Sequence, residues 1–158
     1  MKRLKRMAAG ADETTPPWAS RAVPTGVDAW APDGSEIRLL VAVAGASMVH
    51  CRLPAGEVTS AVRHRTADEL WYVLAGSGQI WRSSGNLAQT LDVRPGMALT
   101  IPVGTAFQFR ADPGEPLVLL IATVPPWPGA DEAVPVPGVW DQSSAGAVAG
   151  AATSPRWP

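Results

Sequence analysis

GEVTSAVRHRTADELWYVLAG (residues 56–76) and GMALTIPVGTAF (residues 96–107) carry the clearest structural signal in this 158-residue chain. Within the first segment, Glu69, Trp71 and Val73 alternate with Leu70, Tyr72 and Leu74, the period-2 pattern of a strand with two different faces. Working outward, short runs rich in Val, Ile, Leu, Trp and Thr follow one another. They lie at Ile37 to Val43, Met48 to Leu53, Val58 to Val62, Leu70 to Leu74, Gln79 to Arg82, Thr90 to Val93, Met97 to Ile101, Ala106 to Arg110 and Leu117 to Val124. Glycine and proline punctuate them at Pro54 and Gly56, Gly76 and Gly78, Pro95 and Gly96, Pro102 and Gly104, and Pro113 and Gly114. Closely spaced strands with such corners predict an all-β sandwich or barrel, and no segment has a sustained helical period.

The spacing of particular residues goes further. Gly56, Val62, His64, Glu69 and Gly76 are followed by Gly96, Pro102, Gly104 and Phe107. This order resembles the two motifs of the cupin superfamily, Gly-x5-His-x-His-x4-Glu-x6-Gly and Gly-x5-Pro-x-Gly-x2-His, over roughly residues 36 to 125. The resemblance implies a cupin-type double-stranded β-helix, or jelly-roll, barrel. In that family three histidines and the glutamate hold one divalent ion. Here Val62 and Phe107 stand at the first and last histidine positions, so the resemblance implies a degenerate metal site.

The domain expectation is a basic and polar disordered tail over 1–26, a barrel over 27–142 with its motif core at 56–107, and a disordered Ala/Gly/Ser/Pro tail over 143–158. Pro125-Pro126-Trp127-Pro128-Gly129 is too stiff for a helix. It reads as an extended strap with Trp127 as its packing anchor, a rim contact to a ligand being the alternative.

Composition excludes several classes of chemistry. A net charge of −1 offers no footprint for nucleic acid, and no apolar run reaches the roughly 18 residues of a membrane span, so neither partner is expected. No hydrophobic stretch follows the basic start as a secretion signal requires, and the expected location is the cytoplasm. Cys51, the single cysteine, precludes an intrachain disulfide and every multi-cysteine metal site, and reads as a small buried apolar residue. Both lysines, Lys2 and Lys5, lie in the N-terminal tail, leaving the barrel without a Schiff-base or phosphate-loop lysine.

The resemblance implies that Glu69 points inward; alternation then puts Trp71 and Val73 with it, and puts His64 on one face with Val62. Phe107 and Phe109 share a face, and Gln79 with Trp81 are candidates for the same space. The expected interior is an aromatic small-molecule pocket lined by Val62, Trp71, Gln79, Trp81, Phe107 and Phe109, with His64 and Glu69 as its polar pair.

Three readings of that pair follow. In the first, His64 is an acid/base with Glu69 as its hydrogen-bonded orienter, running a metal-independent isomerase, epimerase, cyclase or lyase step with no cofactor. In the second, His64, Glu69 and His50 hold a single Fe, Mn, Ni or Zn ion in a mononuclear, dioxygenase-like enzyme. Here hydrophobicity favours Ser47, Val49, Cys51 and Leu53 as the inner set, which turns His50 outward. In the third, the barrel binds or senses a ligand without transforming it. The resemblance implies a homodimer paired through outer sheet faces, and the outward row Leu70, Tyr72 and Leu74 suits either such an interface or packing of the two sheets within one barrel.

Overall fold

A computed structural model describes residues 15–143. The strands are β1 (Ala29–Trp30), β2 (Glu36–Val43), β3 (Ala46–Leu53), β4 (Val62–His64), β5 (Asp68–Ala75), β6 (Gly78–Ser84), β7 (Leu87–Val93), β8 (Ala98–Ile101), β9 (Ala106–Ala111), β10 (Leu117–Val124) and β11 (Ala133–Pro135). A single 3-10 turn, Ala130–Glu132, precedes β11. Two antiparallel sheets result, one in the order β1-β2-β3-β10-β5-β8 and the other β11-β4-β9-β6-β7. No described helix is long and apolar enough to cross a membrane.

The core fills the space between the sheets. Val73, Ile80, Leu117 and Leu119 meet the aromatic group Trp71, Phe107 and Phe109, all buried. Each buried Phe contributes roughly 1.5–3 kcal/mol relative to exposure. The alternation read from the sequence holds along β5, where Glu69, Trp71 and Val73 are buried while Leu70, Tyr72 and Leu74 face out. It also holds along β3, where Ser47, Cys51 and Leu53 are buried and Val49 packs against the core.

Four segments depart from the sequence reading. Val58 to Val62 is not a strand, because Val58 makes an isolated bridge to Arg110 and regular pairing begins at Val62. Beside it, the Thr59 hydroxyl donates to Phe109 O and accepts from Phe109 N, both at 3.0 Å, so a side chain occupies ladder positions that a strand would fill with backbone. The short strands β1 and β11 carry no periodic signal and exist only through pairing with β2 and β4. Residues 15–26, expected within a disordered tail, form no helix or strand, but Arg21 reaches Asp28 at 3.4 Å and Arg38 donates to Thr25 O at 3.5 Å. The tail expectations for 1–14 and 144–158 lie outside the described residues.

Two buried polar side chains hold the C-terminal segment on the barrel. The Glu132 carboxylate accepts from Thr66 N at 2.6 Å, Ala67 N at 2.7 Å and Thr66 Oγ1 at 2.9 Å. Burial acts to raise its pKa, but these three donors outweigh burial and hold it below the usual carboxylate range. Gln108 uses both ends of its amide: Nε2 donates to Thr59 O and Trp140 O at 2.8 Å, and Oε1 accepts from Val139 N at 2.9 Å and Trp140 N at 3.0 Å. The strap is therefore clamped at both ends.

Gly76 closes the turn after β5 with φ near 73°, and a Cβ there would overlap the carbonyl of Pro116. Gly76→Ala is expected to cost about 3 kcal/mol or more through combined backbone strain and overlap. A urea unfolding midpoint lowered at unchanged slope would show it; an unchanged midpoint would refute the account.

Candidate functional site

Strand β5 presents Glu69 inward between Thr123 of β10 and Ile101 of β8, leaving it 7% exposed. Trp71 Nε1 donates to its Oε2 at 2.8 Å, and Thr123 Oγ1 donates to its Oε1 at 3.3 Å. Burial pushes the Glu69 carboxyl up to about 7; the negative charges of Asp33 and Glu132 add to this, and the Trp71 and Thr123 donors oppose it.

His64 closes the short strand β4 and is 4% exposed. Its ring meets Phe107 edge-on at 5.2 Å and Trp127 edge-on at the same distance. Burial lowers its pKa to about 4, although the charge of Glu132 pulls in the opposite direction. His64 Nδ1 is buried with no hydrogen-bond partner and lies 3.9 Å from Glu69 Oε1.

That gap corrects the expected orienting hydrogen bond between the two. The pair is no ion pair either: the imidazole loses its proton by about 4 and the carboxyl keeps its own to about 7, so the two are never predominantly charged together. The buried carboxyl is instead anchored by Trp71 and Thr123, and the imidazole by ring packing.

His64 and Glu69 line one side of a cavity of about 70 Å³ together with Val62, Trp71, Phe107 and Trp127. Three residues expected there lie elsewhere. Phe109 sits behind Trp71 in the core, with ring centroids 5.1 Å apart, and does not line the cavity. Gln79 and Trp81 occupy the outer face of β6, because Gly78 and Ile80 take its inward positions. Gln79 bonds Asp92 and Arg110 there. Trp127 is the packing anchor of the strap: its backbone N–H donates to Ser47 Oγ at 3.0 Å, its side chain packs against the core, and its ring lines the cavity beside His64.

One further lining residue was not foreseen. The turn between β1 and β2 turns Asp33 inward, buried, with Ser35 N at 2.9 Å and Ser35 Oγ at 2.7 Å from its Oδ1. Burial raises the Asp33 carboxyl above its ordinary range against those two hydrogen bonds. In sequence, Pro32-Asp33-Gly34 carries the composition of an exposed turn, so only the packing of the turn over the barrel mouth reveals it. Cys51 is buried nearby, its thiol pushed up by burial and by the Asp33 charge, which leaves it unreactive.

The metal-ligand set considered above does not assemble. His50 lies on the outer face of β3, paired across the sheet with Arg38 and Leu120, away from the cavity. Burial and the positive charge of Arg38 lower its pKa. Among the described residues no three His, Cys, Asp or Glu side chains come together as metal ligands. His64 and Glu69 supply two donors, where such a site draws three or more from the protein.

Residues 49–123 match the cupin domain model. No curated protein matches the sequence. The fold is similar to BH2720 from Bacillus halodurans at 25% identity, with a TM-score of 0.54 over 58% of this chain and 70% of that one. It is similar to KdgF from Halomonas sp. at 17% identity, with a TM-score of 0.51 over 58% and 81%. It is also similar to Streptomyces Pac13, a nucleoside dehydratase, at 12% identity, with a TM-score of 0.57 over 75% and 92%. The motif spacing, the two-sheet barrel and the domain match agree on a cupin domain over residues 49–123.

Proposed function

We propose that the chain is a small-molecule enzyme of the isomerase, epimerase, cyclase or lyase type, moving a proton with Glu69 while His64 positions the substrate. The observation that carries this reading is the pair of polar groups facing each other across 3.9 Å in a largely apolar cavity wall, one of them the unpartnered Nδ1. A carboxyl titrating near 7 is divided between its two forms at neutral pH, the condition general acid–base catalysis requires. The neutral imidazole holds a substrate group through Nδ1. This exchanges the roles that the sequence suggested for the two residues. A nucleoside dehydratase on a similar barrel is in keeping with a lyase-type reaction; at 12% identity the likeness carries only the fold.

The outer row Leu70, Tyr72 and Leu74, 55%, 45% and 43% exposed, supports a homodimer through this sheet face. A Leu70→Glu, Tyr72→Glu variant is expected to sediment as a monomer while the parent chain sediments as a dimer. A monomeric parent chain would overturn the assembly. Cytoplasmic residence rests on the single, buried Cys51.

The test of the chemistry is C–H exchange in D2O, followed by proton NMR over a panel of small aldehydes and ketones. Wild-type protein is expected to catalyse exchange that survives chelation, with kcat/KM rising with pH to a plateau above about 7 as Glu69 ionises. Glu69→Gln should lower the rate at least about 100-fold, and His64→Gln should act mainly on KM. Exchange lost on chelation would favour a metal enzyme, and no exchange with any compound would leave a binding barrel; either overturns the proposal.

The raised pKa also marks stability. Folded Glu69 holds its proton to about 7 and an unfolded glutamate to about 4.5, so stability falls as pH rises through that window, by roughly 3 kcal/mol. His64, lowered to about 4, contributes in the opposite direction between about 4 and 6.5, equally in wild type and variant. The Tm of Glu69→Gln minus that of wild type should therefore grow from pH 5 to pH 8. A constant difference would show that the carboxyl is not held in its neutral form.

A further inference from the structure

Among the described residues, the charge-bearing side chains around the cavity are Asp33, Glu69 and His64, with no arginine in its lining. The two carboxyls come from different elements, the β1–β2 turn and β5, and both are buried. Their protein donors are local and few. Both Asp33 hydrogen bonds go to Oδ1, and Glu69 Oε1 has only the long 3.3 Å contact from Thr123. His64 Nδ1 is buried, lacks any partner and lies on the same cavity. A single donor atom roughly 2.9 Å from each would bridge the 3.9 Å between Nδ1 and Glu69 Oε1. Trp30, Trp71, Trp127 and Phe107 supply ring faces and edges around this acceptor cluster.

We propose that the cavity takes a ligand carrying a protonated primary or secondary amine, whose N–H groups are received by Asp33, Glu69 and His64 Nδ1. The inference rests on reading this cavity as a small-molecule site and names the ligand's chemical class. An ammonium group supplies the positive charge that two buried carboxylates lack, and its N–H groups satisfy the orphaned imidazole nitrogen. Aromatic walls favour the same charge by cation–π attraction. A carboxylate or phosphate would meet like charge with no cation to receive it. A neutral hydroxyl could donate one hydrogen bond and would leave the carboxylates uncompensated.

The test uses three probes matched in size and differing in charge: n-propylammonium, n-propanol and propionate. Each is titrated at pH 8 into the whole chain carrying 15N-labelled tryptophan, following the indole N–H signals of Trp71 and Trp127. Propylammonium is expected to shift both signals saturably with a Kd on the order of 1 mM, at least tenfold tighter than propanol, and propionate is expected not to bind. The comparison among probes is made within the wild-type protein, so it does not depend on a variant folding. In Glu69→Gln and in Asp33→Asn, each checked for retained indole dispersion, the preference for the amine should fall below threefold. Propanol or propionate binding as tightly as the amine would overturn the amine while keeping the cavity as a small-molecule site. Amine binding undiminished in both variants would also overturn it, and saturation by none of the three probes would overturn the ligand class and the small-molecule site together.

Discussion

A buried carboxyl on strand β5 constrains the rest of this molecule. Once β5 is paired between β10 and β8, alternation drives Glu69 inward with Trp71 and Val73, and the protein must accommodate an ionisable group in an aromatic interior. It does so with two donors, the Trp71 indole and the Thr123 hydroxyl, each fixed by a strand of the same sheet. Neither brings positive charge, so burial wins and the carboxyl is pushed up to about 7. The same alternation places Leu70, Tyr72 and Leu74 outside, so one strand defines both the chamber and the apolar outer face.

The imidazole completes an inversion of the ordinary order of acidities. A free histidine titrates above a free glutamate, whereas here His64 sits near 4 and Glu69 near 7. Desolvation penalises the charged form of each, which is cationic in one and anionic in the other, so a shared dry environment moves them past one another. The result is a neutral acceptor beside a carboxyl able to change its proton near neutrality. Asp33 adds a second carboxyl to the cavity lining, and its charge raises Glu69 further.

Polar clamps hold the chain from Trp127 to Trp140 on the barrel. Glu132 takes two backbone N–H groups and a hydroxyl from the β4–β5 connection, fixing the chain beside His64. Ser47 Oγ takes the Trp127 N–H, and Gln108 ties down Val139 and Trp140. Trp127 thereby lies against the His64 ring as part of the cavity wall.

The sequence by itself determined the barrel and the inward and outward rows of β5, and it only favoured an outward His50. Each follows from period-2 alternation and motif spacing, which are local properties of the chain. Tertiary structure alone decided the rest. It swung the Asp33 turn over the cavity, since a Pro-Asp-Gly turn has the same composition whether it faces water or a pocket. It put Ile80 inward, and hence Gln79 and Trp81 outward, because the phase of β6 is set by its pairing with β9 and β7. It also separated His64 from Glu69 by 3.9 Å and set the order in which the two lose their protons, since distance and desolvation depend on what surrounds both residues in space.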